Sequence, residues 1–207
     1  AKKKQTKVTY NLAKDLIKRT ANSLEPHVQT FFNTTLMLGK TSETRLGDKL
    51  YALIFELNII APSSLLSVLP QLEFKLKSSS ERERKDVTDL LARMFALPDS
   101  EMAAQNKSLW LCFTGRFNDI DISVRRVCVA FSQELIVNHP ELIPDIQDAL
   151  RSRQHDSDEN VRNDVVSAIV NAAVRDFTHI TDDLLQCVQE RTRDKKLKIR
   201  KEALLGL

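Results

Sequence analysis

The sequence predicts an all-α fold in which pairs of helices stack into a solenoid, chiefly because one short motif recurs. Each copy begins with Asp, has an aliphatic residue five positions later and ends with Arg at the sixth. The copies pair Asp119 with Arg125, Asp156 with Arg162, and Asp194 with Arg200. Their arginines are 37 and 38 residues apart (162 − 125 and 200 − 162), and a period of about 40 residues is typical of helical repeats. A low content of Gly (4) and Pro (6) also favours helices.

The arginine of the motif continues upstream at the same period, while the aspartate does not. Arg84 lies 41 residues before Arg125, and Arg45 lies 39 residues before Arg84. Ser78 and Gly39 occupy the corresponding aspartate positions. Each copy falls between two amphipathic segments, so we interpret the units as HEAT-type repeats. In this interpretation the Asp caps the second helix of a pair, and the Arg packs toward the neighbouring repeat.

The apolar periodicity divides the chain into a leading helix and about five helix pairs. We expect residues 1–7 to be a disordered basic lead-in and residues 8–207 to form the repeat array. Pro26 is expected to begin a new helix, and Pro70 to kink a helix or break its first turn. A short extra turn is expected within residues 98–106. Because the apolar pattern continues to Leu207, we expect an open-ended fragment of a longer solenoid. The approximate pairs are 26–60, 62–97, 105–138, 140–175 and 180–207.

Composition restricts the compartment and the class of partner. The net charge is +3, from 31 Lys and Arg against 28 Asp and Glu, which does not by itself indicate nucleic acid binding. Cys112, Cys128 and Cys187 each lie in an apolar helical run, as buried thiols of a reducing compartment do. The sequence has no apolar run of about 18 residues and no apolar segment near its start. We therefore expect a soluble intracellular protein without membrane association.

Sequence motifs for catalysis are weak. The Gly39-Lys-Thr segment resembles the end of a phosphate-binding loop, but that loop needs a glycine at position 34, which is Thr. The four histidines lie in different repeats without metal-ligand spacing, and His155 is interpreted as a turn residue beside Asp156. Trp110, the only tryptophan, lies at core spacing, which favours a core residue over a binding anchor. We therefore predict no catalytic residues, no metal site and no cofactor.

A cluster of cations near the end of the chain has two interpretations. We call this cluster the basic edge; its members are Arg191, Arg193, Lys195, Lys196, Lys198 and Lys201. It could be an ordinary solvated helix face, or a surface that binds a partner or a polyanion such as DNA or a small polyphosphate. Direct DNA contact is left open. Arg151 and Arg153 end a first helix, where cations favour the helix dipole.

Several longer stretches resemble one known family. They are LLSVLPQLEFKLK at residues 65–77, AKDLIKRT at 13–20, MLGKTS at 37–42, DS at 99–100 with QNK at 105–107, GRFND at 115–119, ERTRD at 190–194 and RKEA at 200–203. Together they resemble the sister chromatid cohesion proteins named for precocious dissociation of sisters, over essentially the whole chain. These stretches are far more specific than the Asp and Arg spacing, which many solenoids share.

The resemblance implies a non-enzymatic, nuclear, chromosome-associated regulator of the cohesin ring. Implied partners are the kleisin subunit of cohesin, the Wapl-type releasing factor, the cohesion acetyltransferase and the protector proteins that oppose release. Chromatin association would then occur through cohesin. The repeat pattern alone equally allows another HEAT-repeat adaptor, such as a nuclear transport receptor or a phosphatase scaffold.

Overall fold

The computed structural model describes the backbone of residues 2–37 and 45–207 and the side chains of residues 6–36 and 49–207. All regular structure in these ranges is helical, which confirms the all-α HEAT-repeat prediction. The chain forms two compact units, Ala1–Lys75 and Leu76–Leu207. Gly39 and the Lys and Thr after it lie outside the described residues, as does the side chain of Arg45.

The first unit contains two long helices and a short 3-10 turn. Helix α1 spans Lys2–Met37, α2 spans Arg45–Ile60, and the turn spans Pro62–Leu65. The hydroxyl of Tyr10 on α1 donates to Glu56 Oε2 on α2 at 2.7 Å. The unit buries apolar side chains from all three elements, among them Phe32, Leu36, Ile54, Leu57 and Leu65. Within the described part of the chain, no helix has the length and hydrophobicity of a membrane span.

Helix α1 differs from the prediction at two places, its start and Pro26. Residues 2–7, expected to be disordered, already belong to the helix, and Pro26 lies inside it rather than at a new start. Lysine is a good helix former, so a lysine-rich start can extend a helix. A proline inside a helix costs about 3 kcal/mol. Burial of Phe32 and Leu36 on the following turns offsets this cost, and the Pro26 carbonyl still accepts from the Thr30 hydroxyl at 2.9 Å.

Helix α3 spans Leu69–Leu76, so the segment from Pro62 is broken before Pro70, as expected. The second unit follows with the expected extra turn at α5. Its helices are α4 Glu81–Phe95, α5 Met102–Gln105, α6 Lys107–Thr114, α7 Ile122–Asn138, α8 Ile143–Arg153, α9 Glu159–Arg175, α10 Asp182–Arg191 and α11 Leu197–Gly206. Short 3-10 turns occupy Gly115–Asn118, Pro140–Leu142 and Phe177–His179.

The second unit has two layers of helices. The second helices of the pairs, α4, α7, α9 and α11, pack side by side, and α6, α8 and α10 form the other layer. Apolar side chains from both layers are fully buried between them, including Phe113, Val124, Leu150 and Val165. Helix α11 approaches α9 so closely that a Cβ on Gly206 would lie 2.2 Å from Val170 Cγ2, so a larger residue there would require the Val170 side chain to shift. Because the second helices of the pairs lie in one layer and the first helices in the other, the turns between them lie along one edge of the stack.

Candidate functional site

Three arginine–aspartate pairs connect successive repeats of the second unit, and we call them the ladder. In each pair the arginine Nε and Nη2 donate to the two carboxylate oxygens of an aspartate in the next repeat, at 2.8 to 3.1 Å. The pairs are Arg84–Asp119, Arg125–Asp156 and Arg162–Asp194. Each aspartate side chain is only 1% exposed. A planar fork that meets a carboxylate in this way fixes both distance and orientation.

Each ladder arginine also secures the turn of its own repeat. Arg125 Nη1 donates to the carbonyls of Asp119 and Ile120, at 2.8 and 3.2 Å. The same bonds, to the residues six and five positions earlier, recur at Arg84, Arg162 and Arg200. One guanidinium thus joins the turn of its own repeat to the carboxylate of the next.

Each ladder aspartate accepts two further hydrogen bonds from its own turn. Asp156 Oδ1 accepts from the Asp158 amide at 2.9 Å, and Oδ2 accepts from Arg153 Nη1 at 2.8 Å. Asp119 and Asp194 repeat this pattern with the residues two positions later and three positions earlier. A buried carboxylate is stable only when its lone pairs are satisfied, and these four bonds satisfy them.

The capping role expected of Asp119, Asp156 and Asp194 is wrong, because the N-cap residues of the following helices lie two positions later. Asp121 accepts from the Ser123 and Val124 amides at the start of α7. Asp158 accepts from the Asn160 and Val161 amides at the start of α9 in the same way. The ladder aspartates point toward the arginine of the preceding repeat, since a bidentate charged pair is stronger than a single capping bond.

The ladder strongly favours the ionised carboxylate. Burial of Asp194 raises its pKa, but hydrogen bonds from Arg162 and the Lys196 amide outweigh burial, and the pKa falls to about 2. The pKa values of Asp119 and Asp156 also fall, because hydrogen bonds from Arg84 and Arg125 likewise overcome burial. The hydrogen bond to Asp194 correspondingly raises the pKa of Arg162. These pairs are therefore fully charged at neutral pH.

Sequence reasoning missed the role of the arginines three positions before each ladder aspartate, which is to donate to that aspartate. They are Arg116, Arg153 and Arg191, and their spacing from Asp is constant, so a search for Arg followed by Asp at the third position would have found them. Arg153 was interpreted through the helix dipole, but its guanidinium binds Asp156.

The basic edge is smaller than the sequence suggested. Arg191 is only 14% exposed and donates to Asp194 at 3.0 Å, so it belongs with the ladder. Lys196 forms an ion pair with Glu159 of the preceding repeat. Lys196 is itself exposed, and the other exposed members are Arg193, Lys195, Lys198 and Lys201.

At the first turn of the second unit, Ser78 occupies the position of the ladder aspartate. Its carbonyl accepts from Arg84 at 3.0 Å, as the Asp119 carbonyl accepts from Arg125. Its hydroxyl accepts from the Ser80 amide at 3.2 Å, as Asp119 does from Asp121. The turn is thus kept without a carboxylate, which explains why the aspartate half of the motif can change while the arginine remains.

At the opposite edge, where one pair connects to the next, the α4 and α7 repeats are held together by different groups. Asn138 Nδ2 donates to the Ala96 carbonyl at 2.8 Å, and His139 Nε2 donates to the Leu97 carbonyl at 2.7 Å. His139 is buried, so this histidine has a structural role between repeats.

Two of the three cysteines predicted to be buried, Cys128 and Cys187, are buried in the second unit, while Cys112 is only partly buried. Burial raises the pKa of the Cys128 thiol, and burial chiefly raises that of Cys187 to about 11, so both thiols are protonated at neutral pH. His155 lies 3.7 Å from Glu190, and its neighbour Asp156 is bound in the ladder. Among the described residues, no group of three or more His, Cys, Asp or Glu could hold a metal ion.

Comparison with known proteins gives consistent matches along the chain. A family model described as "Sister chromatid cohesion protein PDS5 protein" matches residues 1–207. The chain is 52% identical to Sister chromatid cohesion protein PDS5 homolog B-A of Xenopus laevis, 51% to homolog B of Homo sapiens and 47% to homolog A of Gallus gallus. Each alignment covers the whole chain but only 14%, 14% and 16% of the relative. The chain thus spans about one seventh of the length of these relatives.

The fold has a close match among solved structures. A chain from "Structure of the Pds5-Scc1 complex and implications for cohesin function" superposes with a TM-score of 0.80. The match covers 95% of this chain and 31% of the other, at 19% sequence identity. At this identity the likeness shows the shared fold.

Proposed function

Because the chain belongs to the PDS5 family of sister chromatid cohesion proteins, we propose that it is a helical-repeat segment of a cohesin regulator that binds the kleisin subunit. The observation that carries the proposal is the family match over every residue, with about half of the residues identical to the relatives. This match favours a cohesin regulator over the transport receptors and phosphatase scaffolds that the repeat pattern also allowed. The similar fold solved as a Pds5-Scc1 complex supports a kleisin as partner.

The proposed mechanism is binding without catalysis. Bidentate pairs between repeats hold neighbouring helix pairs in one orientation, so their outer surfaces are formed before a partner arrives. A repeat array presents an extended surface on which a segment of another protein can lie. Segments that share a surface exclude each other, so cohesin release would be regulated by competition.

Further partners follow from family membership alone. We assign to the longer protein the Wapl-type releasing factor, the cohesion acetyltransferase and the protector proteins as partners. Its place would be the nucleus, on chromosomes, through cohesin. These assignments rest on the family and not on a contact in the second unit.

Isothermal titration of the 207-residue chain, and of the longer protein that contains it, with a kleisin segment tests the main proposal. We expect saturable one-to-one binding by the longer protein. The heat of binding should disappear when the protein has first been saturated with the unlabelled kleisin segment. If no length of the protein binds the segment while a transport GTPase is captured, the adaptor alternative is correct.

We also propose that the exposed part of the basic edge binds a polyanion, either DNA or a small polyphosphate. The double variant Lys195→Glu with Lys198→Glu reverses two charges of this surface. Lys85→Glu on α4 is the control, because it reverses an exposed charge elsewhere. If both lysines contact phosphates of a short DNA duplex, the plot of log affinity against log salt should be less steep in the double variant, by about 2 in the magnitude of its slope. The measurement is fluorescence anisotropy at several salt concentrations, with tripolyphosphate as competitor. Unchanged affinity and slope in the double variant would refute the proposal.

A further inference from the structure

A groove with an aromatic floor lies between two repeats of the second unit, and we call it the Trp110 groove. Its volume is about 380 Å³, and it opens between helices α5 and α6 on one side and the start of α8 on the other. The Trp110 ring packs against Phe95 and Phe113, with ring centroids 5.0 and 5.6 Å apart. Its Nε1 donates to Asp145 Oδ2 at 2.7 Å across the groove. The floor is therefore held in place from two directions.

The walls of the groove are apolar and leave space for a side chain. Leu111 is 66% exposed at the groove although it follows the buried Trp110 directly. Leu142 lines the other side, and the small side chains of Ala103 and Ala104 leave the cavity open. Ligand sites are concave, mostly apolar and start at about 300 Å³, so this groove can receive a large apolar side chain.

The rim of the groove is acidic. Glu101, Glu141 and Asp145 provide three carboxylates, and Lys107 is the one cation of the lining. One of the carboxylates has a fixed position, because Asp145 accepts from the indole, whereas the Glu141 side chain is exposed at the rim. In the described residues these carboxylates do not form a cluster that could hold a metal ion. Separate negative groups around an apolar floor are complementary to a chain with separate positive groups.

We propose that the Trp110 groove binds a short segment of a partner protein that carries one large aliphatic or aromatic side chain flanked by Lys or Arg. The apolar side chain fills the space above Trp110, and the flanking cations meet Glu101 and Glu141. Charged rims mainly set specificity, while the buried apolar anchor supplies most of the affinity. The proposal goes beyond the proposed function, since it fixes the chemistry of the bound segment whichever partner carries it.

Trp110 is the only tryptophan of the chain, so its indole N–H gives one resonance that reports on the groove. The test is an NMR titration of the isotope-labelled chain with two synthetic peptides of nine residues. Apart from the three residues at their centre, both peptides consist of Gly and Ser. One has a central Leu between two Arg residues, and the other has the same Leu between two Glu residues. We expect the Arg peptide to shift the indole resonance and to bind at least tenfold more tightly than the Glu peptide.

Variants separate the groove from general surface binding. Ala104→Phe fills the cavity from an exposed position and should abolish the shift, whereas Ala130→Phe, exposed on α7, should leave it unchanged. The double change Glu101→Lys and Glu141→Lys should reverse the preference to the Glu peptide, and it keeps the floor intact. Kleisin binding measured on the same variants is a separate readout, so the proposed function can fail or hold independently.

Several results would overturn the inference. The first is an indole resonance that does not shift with either peptide. The second is an equal shift with both peptides, because the groove would then be an apolar patch without charge selectivity. A shift that grows with protein concentration alone would show that a second copy of the chain covers the groove. Peptide binding that survives Ala104→Phe would place the site elsewhere.

Discussion

In residues 76–207, buried charges join successive repeats at one edge of the helix pairs, whereas at the opposite edge the α4 and α7 repeats are joined by polar side chains that donate to main-chain carbonyls. Arg125 and Asp156 represent the first edge, with two charged hydrogen bonds. Asn138 and His139 represent the second, with single bonds to the carbonyls of Ala96 and Leu97. The comparison shows why only one edge leaves a sequence period, since every residue has a carbonyl but few have a guanidinium or a carboxylate.

The two edges should also differ in how they fail. Removal of one member of a buried charge pair leaves the other charge without compensation, which costs more than loss of a neutral hydrogen bond. The following predictions test this difference from the largest expected effect to the smallest.

Asp156→Ala should have the largest effect. It leaves the guanidinium of Arg125 buried, removes the partner of Arg153 and frees the Asp158 amide, so we expect a loss of about 3 to 5 kcal/mol in the free energy of unfolding. Urea denaturation followed by circular dichroism measures it. Asp164→Ala is the control, because its partner Arg126 is half exposed, and the expected loss is below about 1 kcal/mol. Equal losses in the two variants would contradict a special role for the ladder.

Arg162→Ala should destabilise the chain more than Arg153→Ala. Arg162 is 11% exposed and joins two repeats, whereas Arg153 is 18% exposed and stays within one turn. After Arg162→Ala, Asp194 still accepts from Arg191 and the Lys196 amide, so we expect a loss of about 2 to 3 kcal/mol, against about 1 kcal/mol for Arg153→Ala. Thermal melting decides the order, and identical melting temperatures would refute it.

His139→Ala tests the opposite edge. It removes the hydrogen bond to Leu97 and leaves that carbonyl without the imidazole, so the expected loss is about 1 to 2 kcal/mol. His155→Ala, at an exposed position in a turn, should change the free energy of unfolding by less than about 0.5 kcal/mol. Should His139→Ala cost as much as Asp156→Ala, the distinction between the two edges would fail.

Acid should weaken the ladder in a defined range. The pKa of Asp194 is lowered to about 2 in the folded chain, so its contribution to stability is complete above the unfolded pKa near 3.9. As the pH falls from about 4 to about 2, the carboxylate contribution is lost progressively. Urea denaturation across this range should show a smaller fall in stability for Asp194→Asn than for the unchanged chain. A parallel fall in both would mean that Asp194 does not contribute.

The sequence was sufficient for the repeat architecture and for the positions of the ladder residues, because Asp156 and Arg162 keep a constant separation of six. It was not sufficient for their pairing. Arg125 binds the aspartate 31 residues later rather than the one in its own motif, and only the stacking distance between repeats determines that choice. The hydrogen bond from Arg153 to Asp156 could have been predicted, because an Arg recurs three positions before each ladder aspartate.

The Trp110 groove illustrates a different limit. Core spacing correctly placed Trp110 among the buried residues. The cavity beside it depends on where the short helix α5 lies and on the size of Ala104, and neither leaves a periodic signal. In α1, local rules for proline predicted a break at Pro26, but burial on the following turns outweighed the local cost.

The constant six-residue interval inside each ladder motif has a consequence for how such arrays can vary in length. From one ladder arginine to the next ladder aspartate the chain takes 35, 31 or 32 residues, and the longest interval contains the additional helix α5. An insertion between Asp156 and Arg162 would rotate the guanidinium away from its own turn, whereas an insertion between repeats leaves every fork intact. Natural length variation should therefore be tolerated in the connections between repeats and rejected around residues 156–162.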